Sequence, residues 1–338
     1  MKSTLPVILF LISAIAGAQP APSGDPTVVP AGSRLERLFA GGHLTEGCAV
    51  APDGTVFFSD ITFTTQTKMQ AGHIMRFDPK TGKTVVYRSP SGMSNGIKFD
   101  AQGRMVVAEG ADYGGRRITR TDLKTGKSEI VSGLFEGKPF NSPNDITIDR
   151  KGRIYFSDPR YLGHEPISQP LQAVYRIDPD RSVHRVVTDA GKPNGVALSP
   201  DEKTLYVVTN DDGTLGFDRL PAGTPTRKGR MELAAYDLAP DGTAKFRRTL
   251  VNYAPQDGPD GLVVDAEGDL WVAVRDEKRF GVFVYAPDGK QRAYIPTPER
   301  PTNTCFGRGD QSKVLYITSG GSLHRIKVGK DGYHLPSR

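Results

Sequence analysis

The chain has 338 residues, 37% of them hydrophobic and 24% charged, with 38 glycines, 26 prolines and a formal net charge of +6. These proportions exclude a disordered chain, a collagen and a coiled coil, and describe a globular protein with many turns. The basic excess is small and scattered through turns such as 78–82 and 122–126. With no stripe of aromatic and arginine residues, no nucleic-acid partner is expected.

Residues 1–18 combine a basic start at Lys2, an apolar run over 5–16 and an Ala-Gly-Ala exit. This is the pattern of a secretory signal peptide cut after about Ala18. The run is too short to cross a bilayer, and no later stretch approaches the roughly 20 apolar residues of a membrane helix. The mature protein is therefore expected to be soluble, in a periplasm or outside the cell, with no membrane partner. Residues 19–33, rich in Pro, Ala, Gly and Ser, read as a flexible lead-in.

From 34 to 330 the chain repeats. A polar residue is followed eight positions later by glycine at Glu46 and Gly54, Asn95 and Gly103, Asn144 and Gly152, and Asp260 and Gly268. A fifth copy starts at Asn194 with one extra residue in its turn, and a weaker sixth starts near Asn303. A second β-rich run follows each turn, at 56–59, 105–108, 154–157, 205–208, 270–273 and 315–318. Short strands bounded by Gly, Pro and Asp turns, at a period near 50, predict an all-β fold, a six-bladed β-propeller. The last unit is one strand short, and residues 34–39 precede the first unit without a blade of their own. These ends should pair and close the ring, leaving 331–338 as a C-terminal tail.

The turns between the first and second strands are uniformly tight, whereas longer loops follow the second strands at 60–72, 109–117, 158–172 and 210–231. Those loops open on the face where the repeat-starting residues sit, so that face is the expected working face. The starters Glu46, Asn95, Asn144, Asn194, Asp260 and Asn303 each offer an oxygen. Turn chemistry explains any one Asn-Gly or Asp-Gly pair. Six in register should instead converge near the propeller axis. Two carboxylates ~4 Å apart at an effective dielectric of ~20 repel by roughly 4 kcal/mol, which a divalent cation removes. Oxygen ligands of this kind suit Ca²⁺ best, with Mg²⁺, Mn²⁺ or Zn²⁺ also accommodated.

The segments 46–48, 135–145, 156–161, 192–201 and 258–261 resemble the SMP-30/gluconolactonase/luciferin-regenerating-enzyme family, over about residues 40–325. Within that span, 92–161 resembles the bacterial gluconolactonase branch. The resemblance implies a hydrolase acting on a sugar lactone, with Glu46, Asn194 and Asp260 binding the metal. It places Asn144 beside the metal or the substrate and makes Asp260 the general base. Departures fall at Ser142, where many members carry Arg, at Glu109-Gly110, where bacterial relatives often carry His-Gly, and at 48–50, where an aromatic is missing. The metal would polarise the lactone carbonyl while a carboxylate activates water. His43, Glu109 and His164 are the other bases on that face. Asn95, Asn144, Arg117, Arg160 and His164 are the expected substrate contacts, with Arg116 nearby. Two other functions fit the same ring: a non-catalytic, metal-stabilised binding propeller, and an aryl-ester or organophosphate hydrolase. Cys48 and Cys305 lie two residues past their starters in neighbouring blades, either as a disulfide or as two buried thiols. The oligomeric state is not written in the sequence.

Overall fold

The protein, seen in a computed structural model, is described over residues 20–67, 72–161, 163–214 and 227–336. The signal peptide expected over 1–18 lies outside the described residues, as do parts of the loops at 60–72, 158–172 and 210–231. Local chemistry shapes each repeat first. In the tight turns an aspartate accepts the backbone N–H two residues on: Thr55 to Asp53 at 2.9 Å, Gln102 to Asp100 at 3.0 Å, Lys151 to Asp149 at 2.9 Å and Glu267 to Asp265 at 2.9 Å. The glycine eight residues after four of the starters then takes a left-handed conformation, with φ of +89° at Gly54, +73° at Gly103, +83° at Gly152 and +96° at Gly268. In the fourth repeat Glu202 stands at that place with φ +58°. Its carboxylate accepts the Arg150 backbone N–H at 2.7 Å, which helps hold the conformation.

Six blades result, each a four- or five-stranded antiparallel sheet, beside a two-stranded hairpin of Leu134–Phe135 and Lys138–Pro139. The strands of each blade run in chain order from the axis outward, except that N-terminal segments supply the outermost strands of blades five and six. The innermost strands are Thr45–Val50, Ser94–Phe99, Ile146–Ile148, Pro193–Leu198, Pro259–Val264 and Pro301–Phe306. Among the described residues the only helical pieces are Thr64–Thr67 and the 3₁₀ turn Gly309–Gln311. The hydrophobic core is divided into six clusters, one between each pair of neighbouring blades. Trp271 and Phe306, for example, meet edge to face at 5.3 Å between blades five and six.

The ring closes as expected. Glu36–Phe39 pairs antiparallel with Ser322–Lys327 and supplies the fourth strand of the last blade. Residues 20–33, expected to be a flexible lead-in, are instead packed. Ser23–Gly24 adds a fifth strand to blade five, Arg292 grips Asp25 at 2.6 Å, and Val28 and Val29 are buried with Trp271 and Phe306. Two apolar side chains in a polar stretch suffice to pin it, because their burial offsets the ordering of a short segment. The expected tail at 331–338 is also partly seated. Gly332 bridges to Asp265, the Tyr333 N–H reaches Val264 O at 3.3 Å, and His334 bonds Gly307 O at 2.9 Å. This segment lies across the end of the channel opposite the starters.

His324, on the strand that closes the ring, is buried, and burial with the nearby Arg37 pushes its pKa down to about 4. The folded state thus refuses a proton that the unfolded chain accepts near pH 6.5. Its contribution is complete above pH 6.5 and is lost as the pH falls from there toward 4, by about 3 kcal/mol in all. Urea unfolding between pH 7 and 4.5 should show this decline, and His324→Gln should flatten it. An unchanged slope in the variant would refute the assignment.

Candidate functional site

Glycines set the spacing of the ring. A Cβ on Gly47 would lie 1.8 Å from Asn95 O, one on Gly96 2.6 Å from Asn144 O, one on Gly195 2.6 Å from Asp260 O, and one on Gly261 2.3 Å from Asn303 Cγ. Each glycine directly follows a starter residue and touches the starter of the next blade. The Asn-Gly and Asp-Gly pairs therefore serve the approach of neighbouring inner strands more than local turn geometry. Where the pattern is broken, hydrogen bonds take over. Blade three carries Asp145 in place of glycine, and its carboxylate accepts the Val196 N–H at 3.1 Å. Blade six joins blade one through Thr302 Oγ1, which donates to Thr45 O at 2.7 Å.

All six starters are buried: Glu46, Asn95, Asn144, Asn194, Asp260 and Asn303. Glu46 is held well above the usual carboxylate range by burial, and next by the Asp260 charge. Burial raises Asp260 as well, opposed by Arg275, whose Nη1 donates to Asp260 Oδ2 at 2.8 Å. A third carboxylate, Asp145, acts on both, and it accepts from Asn303 Nδ2 at 3.4 Å. Three buried carboxylates thus lie within reach of one another, opposed by Arg275 at Asp260 and by the Lys98 charge at Asp145.

The amides complete the picture. Asn194 Nδ2 donates to Tyr161 Oη at 3.4 Å, and hydrogen bonding from the Asn194 side chain opposes the upward shift of Asp260. Tyr161 in turn donates to Asn210 O at 2.9 Å, and Lys192 sits over its ring at 4.5 Å. Asn95 Oδ1 is buried with no hydrogen-bond partner. Among the described residues no three His, Cys, Asp or Glu side chains form a metal cluster on their own. A cation here would need amide oxygens as well as carboxylates, which is the hard, oxygen-only donor set of Ca²⁺ and its analogues.

The loop residues expected to touch substrate are placed differently. Arg160 is fully buried, donating to Asn141 O at 2.8 Å and to Glu165, so it anchors the 158–172 loop from within. Arg117 donates to Glu109 at 2.8 Å, and Arg88 and Thr119 take the other oxygen of that carboxylate. Glu109 is thereby an ion-pair partner on blade two and not a free base. Arg116 donates to Phe140 O at 2.7 Å and Ser168 Oγ at 3.0 Å. His164 lies 3.5 Å from Asp112 and stacks near Tyr113, and His43 is exposed with its backbone N–H on Asp60. Position 142 bonds the loop: Ser142 Oγ accepts the Ala111 N–H at 3.0 Å. Asp145, Tyr161, Lys192 and Arg275 are the site neighbours that repeat matching passed over. Only Asp145 carried a signal, as the one acidic residue in a glycine's place. Cys48 and Cys305 are free, buried and in contact, and burial together with Cys305 pushes the Cys48 thiol up.

Fold and site together define a six-bladed propeller with an electronegative, oxygen-lined ring at one end of its axis. The family model described as the SMP-30/Gluconolactonase/LRE-like region matches residues 46–130 and 101–321, and the chain belongs to that family. It is 30% identical over 256 residues to a gluconolactonase of Zymomonas mobilis subsp. mobilis, covering 72% of this chain and 64% of that protein. It is 30% identical over 222 residues to the lactonohydrolase oryL of Aspergillus oryzae, covering 62% of this chain and 50% of the relative. The chain thus spans half to two thirds of the length of these relatives. Among solved structures, a gluconolactonase of Xanthomonas campestris superposes with a TM-score of 0.75 at 30% identity, over 91% of this chain and 95% of that one.

Proposed function

We propose that the protein is a metal-dependent hydrolase that opens a sugar-type lactone, acting outside the cytoplasm after removal of its signal peptide. The observation that carries this reading is the mutual repulsion of buried Glu46 and Asp260 beside an unpartnered Asn95 oxygen. Such a cluster is unfavourable by itself and becomes favourable around a dication. The names of the relatives, gluconolactonase and lactonohydrolase, support the substrate class.

In this reading Glu46, Asn194 and Asp260 hold the cation, with Asn144 beside it, and Ca²⁺ is the first choice. The bound cation supplies Lewis-acid polarisation of the lactone carbonyl. Asp260 orients the attacking water, accepts its proton as the oxygen bonds the acyl carbon, and returns that proton to the ring oxygen as the lactone C–O bond breaks. Arg275, bonded to Asp260 Oδ2, holds that carboxylate in one orientation and offsets part of its charge. Asn95 and Asn144 contact the substrate from the channel side, and Tyr161 and Lys192 shape the wall next to Asn194.

Metal analysis of the purified protein, with hydrolysis assays on a panel of aldonolactones before and after chelation, tests the proposal. Chelation should lower turnover by about 100-fold or more, with recovery on adding Ca²⁺, Mn²⁺ or Zn²⁺. Activity that survives complete metal removal would sink the metal role. A protein that binds metal but hydrolyses no lactone would favour the binding-propeller reading, and turnover confined to aryl esters or organophosphates would redirect the substrate class.

A further inference from the structure

The channel has a second end, and its chemistry is the reverse of the first. Beyond the carboxylate ring lies a cavity of about 90 Å³, walled by residues of all six inner strands and floored by Tyr333, His334 and Leu335. By volume it admits several waters or one tetrahedral oxyanion. Two full positive charges line it, Lys98 from blade two and Arg308 from the segment after the last inner strand, and none of its described lining residues is Asp or Glu. His334 is neutral there: burial, then Arg308, pushes its pKa down to about 4.

Among the described residues neither cation forms a direct ion pair with a carboxylate, although the Lys98 charge pulls the pKa of Asp145 down against the effect of burial. Arg308 Nε donates to Val50 O at 3.0 Å, and burial lowers its basicity with no neighbouring acid opposing it. Among the described residues Lys98 has no hydrogen-bond or ion-pair partner. The field of Lys98 does reach Asp145, but the Asp145 oxygens are bonded by Val196 N and Asn303 Nδ2. Half-buried cations without a direct ion-pair partner are unfavourable, and a guanidinium and an ammonium lining one small cavity suit a tetrahedral anion.

We propose that the closed end of the channel binds a small inorganic oxyanion, of sulfate or phosphate size, between Lys98 and Arg308. The bound anion links blade two, the 307–313 segment and the C-terminal residues beneath the channel. It thereby stabilises the ring from the side opposite the carboxylates.

Sulfate is the probe, titrated into the full-length protein at constant ionic strength set with sodium chloride, with Tm as the readout. The expected result is a saturable rise of about 3 °C at ten times the Kd, absent in Lys98→Met and in Arg308→Gln. No saturable rise, or an equal rise in the variants, would overturn the site. So would a Lys98→Met protein destabilised equally with and without sulfate, since Lys98 would then serve only as counter-charge to Asp145. If Arg308→Gln does not fold, the Lys98→Met comparison decides alone. The readout does not depend on lactone hydrolysis, so failure here leaves the proposed activity untouched, and the reverse holds too.

Discussion

Asp260→Asn should lower kcat/KM for lactone hydrolysis by about 10³-fold, or about 4 kcal/mol of transition-state stabilisation, while the protein stays folded. The amide keeps the size of the side chain and can still accept from Arg275, which bonds Oδ2 at 2.8 Å. It cannot accept a proton from water. Glu46→Gln makes the contrast. Glu46 accepts the Gly47 N–H at 3.0 Å and faces the same charge cluster, but it has no proton-transfer role in the proposal. Its loss should weaken cation binding and be largely rescued by excess metal, whereas the Asp260→Asn defect should persist at saturating metal. Steady-state kinetics across a metal titration separates the two, and equal rescue of both variants would remove Asp260 from the role of base.

The second large effect is structural. Gly96→Ala should destabilise the protein by about 3 kcal/mol, because the new methyl meets backbone atoms at Asn144 O, 2.6 Å away, and Asp145 Cα, 2.8 Å away. Backbone of a neighbouring blade cannot rotate aside as a side chain can, so the ring must open or the ligand-bearing strand must shift. Gly54→Ala is the control. Nothing lies within 4 Å of its Cβ, and only the φ of +89° opposes it. That substitution should bring a loss of about 1 kcal/mol with activity retained. Urea unfolding midpoints measure both. Similar losses at the two sites would mean that these glycines answer to conformational preference and not to the packing of one blade against the next.

Much of this molecule was legible as repetition. The spacing of starter and turn glycine, read at four places with two irregular copies beside them, predicted six blades, and the missing strand of the last unit predicted its pairing with the segment before the first. Each of these signals is local: an Asx turn, a left-handed glycine, an alternation of buried side chains. The starters of the ring were legible for the same reason, since one structural position recurs in every unit.

The loops were not legible in this way, because each loop is unique and its side chains are claimed by partners far along the chain. Arg160 and Arg117 carry the charge that a substrate clamp needs, yet one is sealed inside its loop and the other is paired with Glu109. Their composition was readable and their direction was not. Arg275 reaches Asp260 across the hairpin of blade five, which sets Val274 opposite Pro259, and Tyr161 reaches Asn194 from the neighbouring blade while Lys192 sits over its ring. Val28 and Val29 likewise turn a stretch of coil-forming composition into a packed strap. The sequence by itself determined the number of blades, the closure of the ring and the recurring starter position of each inner strand, because short-range turn and strand chemistry repeats. Tertiary structure alone decided which charges face the axis and which are neutralised within the wall, because desolvation and pairing depend on neighbours that the chain brings together only when folded.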